Sequence, residues 1–129
     1  MRLNNPLGIL ISLKLYVGKQ PKKDRTYECF DYYSNGILAG LQIIEHYYFE
    51  NKANTIEKIV NKYAKPGTEL KPLYESISKG SGFKSRQVIP WRRESIYLII
   101  NELARALNKG RNTMIHPDLF AMCWLKLQE

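Results

Sequence analysis

From residue 34 to the end of the chain, apolar residues recur at the three- and four-residue spacing that is typical of amphipathic helices. Ser34 is a good N-cap for the first of these segments, and Asn54-Thr55 opens the second. Pro72 and Pro117 suit the first turns of two shorter helices, and a long helix is expected over about residues 90–107. In a chain of 129 residues, this periodicity predicts one mostly helical domain around a single core.

The region before residue 33 follows a different pattern. Residues 9–17 and 26–32 alternate between apolar and polar side chains, and a basic stretch over 18–25 separates them. We therefore expect a β-hairpin over about residues 9–32 and helices over about 34–128, an α+β fold that is mostly α. Gly36 and Gly40 lie four residues apart and predict close packing of the first helix against a neighbouring element.

The formal net charge is +8, so the surface should attract polyanions such as nucleic acid, an anionic membrane or the acidic bacterial wall. The basic residues fall mainly within residues 19–25, 84–93 and 105–111. Charge alone does not choose between these partners, and solvated surface loops and helix faces account equally for such clusters.

Cys29 and Cys123 are far apart in sequence, and neither belongs to a CxxC pair. We expect two reduced, buried thiols rather than a disulfide. His46 and His116 show no metal-ligand spacing, so we predict no metal site and no cofactor, and we expect His116 to act in a cap or loop. No apolar run is long enough to span a membrane or to form a clear signal peptide.

The opening Asn4-Asn5-Pro6-Leu7-Gly8-Ile9 resembles the "RNNNPGNI" segment of a phage virion-protein family, and distantly the "NNxFGI" segment of wall glucosaminidases. Further segments are similar to motifs of that family and follow in the same order: Tyr27-Glu28-Cys29-Phe30, Tyr33-Ser34-Asn35-Gly36-Ile37, Asn54-Thr55-Ile56-Glu57-Lys58-Ile59-Val60, and Tyr63-Ala64-Lys65-Pro66 with Glu69 and Tyr74. The resemblance covers residues 2–78, with a looser match at Cys123-Trp124-Leu125-Lys126-Leu127.

This resemblance implies one lysozyme-like domain over residues 1–129, similar to lysozymes, lytic transglycosylases and glucosaminidases. Cleavage of a glycosidic bond needs a carboxylic acid that protonates the leaving oxygen. In relatives the long C-terminal helix ends in "E-N-G", and a circularly permuted arrangement would bring that glutamate to the hairpin; here Asn108 stands in its place. Glu69 and Glu102 are the main remaining candidates for the acid, although loop ordering and a solvated helix face explain them as well. Glu45 and Glu28 are further candidates, for which a half-buried ion pair and pairing with the basic loop are the simpler explanations.

The resemblance also implies that Asn4, Asn5, Tyr63 and Tyr74 line a sugar groove, because amides and phenols combine hydrogen bonds with an apolar face. Turn chemistry before Pro6 is the alternative for the two asparagines, and core packing is the alternative for the two tyrosines.

Three functions follow from these patterns. The first is a phage-associated, peptidoglycan-directed glycosidase, either a muramidase or a lytic transglycosylase. The second is a non-catalytic structural or wall-binding component of the virion, in contact with other virion proteins. The third is a nucleic-acid-binding protein, indicated by the charge and by the mixture of Arg86, Trp91, Arg92 and Arg93. The expected location is the virion or the host cell, with access to the periplasm during infection.

Overall fold

A computed structural model describes residues 4–10, 12, 14–20, 26–108 and 114–129. Five helices occur within these ranges: α1 (Tyr33–Glu50), α2 (Ile56–Tyr63), α3 (Leu70–Ser81), α4 (Arg93–Leu107) and α5 (Pro117–Leu127). The predicted mostly helical fold is confirmed. Helix α1 packs on α5 and α2, and α3 packs on α2 and α4. No helix in the described ranges is both long and apolar enough to cross a membrane.

Two of the predicted helix caps are present, whereas the N-cap predicted at Ser34 is wrong, because Tyr32 precedes α1 and Ser34 lies within its first turn. The Thr55 hydroxyl accepts a hydrogen bond from the Lys58 amide at the start of α2 (3.2 Å), and His116 Nδ1 accepts one from the Asp118 amide at the start of α5 (3.1 Å). The cap predicted at His116 is therefore confirmed. Gly80 and Gly82 predict a loop in the sequence, but helix α3 continues through Ser81. It ends at Gly82, whose φ of 85° favours glycine.

The N-terminal region does not form the predicted β-hairpin. Its described residues contain isolated antiparallel bridges, Leu10 with Tyr27 and Lys19 with Phe30. The segment over residues 27–31 lies between two neighbours, because its residues bond to Ile9 on one side and to Gly18 and Gln20 on the other. The basic stretch over residues 21–25 lies outside the described residues.

A buried carboxylate explains why no regular ladder forms there. The Glu28 side chain is 4% exposed, and it pairs with the Lys19 ammonium (2.9 Å) and accepts a hydrogen bond from the Ser12 amide (3.2 Å). A buried charge must be paired, so Ser12 and Lys19 both turn toward Glu28, and the Lys19 ammonium also bonds to the backbone oxygens of Ser12 and Lys14. Leu15 and Val17, whose alternation predicts an inward face, are consequently exposed.

The N-terminal segment lies directly on helix α1. A Cβ atom at Gly36 would fall on the backbone oxygen of Asn4, and one at Gly40 would fall on the Leu7 side chain. Leu7 itself is fully buried in the main core, together with residues of all five helices. The predicted close packing at these two glycines is thus confirmed, and it attaches the N-terminal segment before α1 to the helical core.

Replacing Gly36 with alanine should destabilise the protein by about 1–3 kcal/mol, because the new methyl group meets a backbone oxygen. Gly40→Ala should cost less, since the end of the Leu7 side chain can shift. Urea unfolding of both variants measures the difference. Ser76→Ala, on the exposed face of α3, is the control and should change stability little. A Gly36→Ala variant as stable as the parent would show that the segment does not pack here.

Candidate functional site

A large open groove lies between the N-terminal segment and the helices, with a volume of about 1310 Å³. Its walls come from four parts of the chain: the N-terminal segment, the middle of α1, the connection from α2 to α3, and the end of α4. The lining residues include tyrosines, lysines, a histidine and amides: Tyr16, Tyr27, Tyr33, Tyr47, Tyr63, Lys14, Lys65, His46, Asn4, Asn5 and Asn108. No aspartate or glutamate of the described ranges lines it.

Asn4 and Asn5 shape one wall of the groove. Asn5 Nδ2 donates to the backbone oxygens of Ile9 (2.9 Å) and Glu28 (3.0 Å), and its Oδ1 accepts from the Ile9 amide (2.9 Å). Asn4 Nδ2 donates to the backbone oxygens of Phe30 (3.0 Å) and Asp31 (3.1 Å). Both side-chain amides therefore hold the wall together. Each lines this groove, but their NH₂ groups are already engaged by the protein.

Three of the groove tyrosines are neutral hydrogen-bonding groups. Burial raises the pKa of Tyr63, and the neighbouring Tyr47 and Tyr16 raise it further. Burial also raises the pKa of Tyr47, and it is the largest cause of the raised pKa of Tyr16. The Tyr63 hydroxyl donates to the Leu7 backbone oxygen. At neutral pH these side chains offer hydroxyl groups and ring faces without adding negative charge to the groove.

Both lysines of the groove lie over tyrosine rings. The Lys14 ammonium is 5.5 Å from the centre of the Tyr16 ring, and the Lys65 ammonium is 4.1 Å from the centre of the Tyr27 ring. Lys65 also donates a hydrogen bond to the Tyr27 hydroxyl. The first pair lies within the N-terminal segment, whereas the second joins that segment to the connection after α2. No carboxylate within 4 Å neutralises either ammonium in the described part of the chain.

Asn108 lies at the end of α4 and faces the same groove. Its Nδ2 donates to the backbone oxygens of Pro6 (2.9 Å) and Ala104 (2.7 Å), so it ties the C-terminal end of α4 to the N-terminal segment. Asn108 is therefore beside the groove, and its amide links two parts of the chain.

The two predicted catalytic carboxylates lie away from the groove lining. Glu69 is exposed at the start of α3 and makes no side-chain cap. Glu102 is largely buried against Gly80 of α3, and one oxygen is 3.7 Å from the Arg105 guanidinium. Glu28 is near the groove but is neutralised by Lys19. Neither Glu69 nor Glu102 contacts the groove amides, and Glu28 meets them only through its backbone oxygen, which accepts from Asn5 (3.0 Å).

Of the remaining predicted site residues, some line the groove and others pack against the core. Tyr63 lines the groove, whereas Tyr74 donates to the Asn61 side chain and packs against the main core. Trp91 belongs to an aromatic cluster, with ring centres 4.9 Å from Tyr48 and 5.2 Å from Trp124. It is therefore a packing residue and not an open stacking surface beside the arginines.

Sequence reasoning missed most of the groove. Tyr16, Tyr27, Tyr47, Lys14 and Lys65 are brought together from distant positions, and no motif joins them. The one available signal was composition, since nine tyrosines and a charge of +8 are an unusual combination for 129 residues.

The cysteines and metal-ligand types add no further chemistry. Cys29 and Cys123 are buried free thiols, as predicted, and burial raises the pKa of Cys123. The described ranges contain no group of three His, Cys, Asp or Glu side chains that could hold a metal ion.

Neither a scan against protein-family models nor a search of curated proteins gives a match to this chain.

Asn5→Asp should destabilise the protein by about 1–3 kcal/mol at neutral pH, because a carboxylate cannot donate to the two backbone oxygens that Asn5 serves. The loss should shrink at low pH, where the protonated carboxyl can donate to one of them. Urea unfolding across this pH range tests both statements. Asn61→Asp is the matched control, because Asn61 acts only as an acceptor toward Tyr74 and aspartate keeps that oxygen. Equal losses in both variants would contradict the role given to Asn5.

The buried tyrosines predict a loss of stability at alkaline pH. Their pKa values in the folded state lie above the ordinary 10.0, so the native protein keeps protons that the unfolded chain releases. The free energy of unfolding should therefore fall as the pH rises above about 10. Tyr63→Phe removes one of these groups, and its unfolding free energy should fall less steeply with pH than that of the parent. Identical slopes would show that Tyr63 does not titrate differently in the folded state.

Proposed function

We propose that this protein binds the glycan strands of bacterial peptidoglycan without cleaving them, as a wall-binding component of a phage particle. The observation that carries the proposal is the composition of the groove: five tyrosines and several amides line about 1310 Å³, and no carboxylate of the described residues lines it. Rings and hydroxyl groups suit sugars, whose faces are apolar and whose edges form hydrogen bonds.

The same composition argues against a glycosidase. A muramidase or transglycosylase needs at least one carboxylic acid beside the scissile bond, and its pKa must be raised so that it can donate a proton. Glu69 and Glu102 do not line the groove, and Asn108 carries an amide that cannot act as an acid at neutral pH. The groove amides and tyrosines can bind a sugar chain, but they supply no general acid.

The resemblance to lysozyme-like proteins supports the choice of peptidoglycan over other ligands. The opening motif of that resemblance, Asn4 to Ile9, forms a wall of the groove, and Asn108 lies at its edge. In this proposal the chain keeps a sugar-binding surface at the site where related proteins are expected to carry out cleavage. The lysozyme-like architecture and the phage origin remain parts of the same proposal.

Single-stranded nucleic acid is the competing ligand, because it also combines rings with negative charge. The mixture of arginines and Trp91 indicates nucleic-acid binding in the sequence. In the structure Trp91 does not serve as a stacking ring for bases, since it packs against Tyr48 and Trp124. The basic residues of that region are therefore surface charges that Trp91 does not accompany as a stacking ring, whereas the groove combines lysines with several tyrosines.

Sedimentation with purified insoluble peptidoglycan tests the proposal. The parent protein should sediment with the wall and release no soluble muropeptides. Tyr47→Ala should bind more weakly than the parent, because it removes a ring from the groove, whereas Tyr47→Phe should retain most of the binding. Tyr32→Ala is the matched control, since Tyr32 is 69% exposed and lies outside the groove lining.

Two results would overturn the proposal. Release of muropeptides by the parent protein would make it an enzyme. Failure to sediment with peptidoglycan, together with binding to a single-stranded oligonucleotide that Tyr47→Ala weakens, would assign the groove to nucleic acid. Unfolding measurements on each variant separate a loss of binding from a loss of folding.

A further inference from the structure

The two lysines of the groove share an arrangement that the binding of neutral sugars does not require. Lys14 lies over Tyr16, and Lys65 lies over Tyr27. Both pairs face the groove, and they stand on different stretches of the chain. Each ammonium is thus held at the surface of the groove by an aromatic ring, without a carboxylate partner in the described ranges.

The groove lysines differ in this respect from Lys19, which also belongs to the N-terminal segment. Lys19 pairs with the buried carboxylate of Glu28 at 2.9 Å, and its ammonium also donates to the backbone oxygens of Ser12 and Lys14. Its charge is therefore neutralised within the protein. The charges of Lys14 and Lys65 are not neutralised by a described carboxylate, and the groove that they face adds no negative charge of its own.

A contact between an ammonium and a tyrosine ring at an exposed site is weak, and a carboxylate makes a stronger partner through a charge-assisted hydrogen bond. An anionic group entering the groove can therefore draw each lysine away from its ring.

From this arrangement we propose that Lys14 and Lys65 are two anion subsites of the groove, and that they select acidic glycans over neutral glycans with the same backbone. The inference rests on the proposed function, because it specifies which glycans the groove takes. The acidic groups would be carboxylates borne on alternate sugars, as in the lactyl groups of peptidoglycan strands from which the stem peptides have been removed. The lysines bind and select, and no bond is made or broken.

Two soluble probes distinguish the effect of the glycan carboxylates from the effect of the sugar backbone. The first is a set of peptidoglycan glycan strands from which an amidase has removed the peptides, which leaves the lactyl carboxylates free. The second is chitin oligomers of matched length, which have the same β-1,4-linked backbone but no carboxylate. The parent protein should bind the acidic strands about tenfold or more tightly than the chitin oligomers, as expected for charge-assisted contacts in an open groove. This preference should shrink as the salt concentration rises.

Lys14→Gln and Lys65→Gln should each lower the affinity for the acidic strands more than the affinity for chitin oligomers, and so reduce the preference for the acidic strands. Glutamine keeps most of the length of the side chain and removes the charge. Lys79→Gln is the matched control, because Lys79 is an exposed lysine on α3 that does not line the groove. It should behave like the parent with both probes.

The outcomes distinguish this inference from the proposed function. Equal affinity for acidic strands and chitin oligomers would overturn the anion subsites while leaving glycan binding intact. Failure to bind either probe would overturn glycan binding itself, and the subsites with it. A preference for acidic strands that Lys79→Gln reduces as much as Lys65→Gln does would show a general effect of surface charge, and it would also overturn the assignment to the groove lysines.

Discussion

The close approach of the N-terminal segment to helix α1 is the constraint on which the rest of the structure depends. Gly36 and Gly40 leave room for the backbone at Asn4 and for the side chain of Leu7. A non-helical segment can therefore lie against the helix, because the helix has no side chain at these two positions. Leu7 then reaches the main core, and Pro6 comes within reach of Asn108 at the end of α4. The groove exists because this segment is fixed in place on one side while the connection after α2 forms another side.

Amide side chains complete that attachment. Asn4, Asn5 and Asn108 donate to backbone oxygens that no regular strand or helix satisfies. A buried carbonyl without a partner is costly, and a segment with so few ladder bonds would otherwise contain several of them. The same asparagines therefore explain both the irregular fold of the N-terminal region and the shape of the groove. Their role is structural first, and their place in the lining follows from it.

The distribution of carboxylates gives the groove its chemical character. The carboxylates of Glu28 and Glu102 do not line it, because the first is paired with Lys19 and the second packs against α3 beside Arg105. Glu69 is exposed and also lies outside the lining. The cations Lys14 and Lys65 remain. A groove with tyrosine rings and positive charge, but without an acid in its described lining, is suited to hold an acidic chain of rings and poorly suited to break it.

The sequence by itself determined the five helices, because amphipathic spacing and end signals such as Thr55 act locally, within one or two turns. It also indicated the packing at Gly36 and Gly40 and the buried thiols. Tertiary structure alone decided the N-terminal region, where Glu28 and Lys19 override the alternation that predicts a hairpin. It also decided the groove, since Tyr16, Tyr47 and Lys65 meet only when distant segments pack together, and spacing along a chain carries no record of such a meeting.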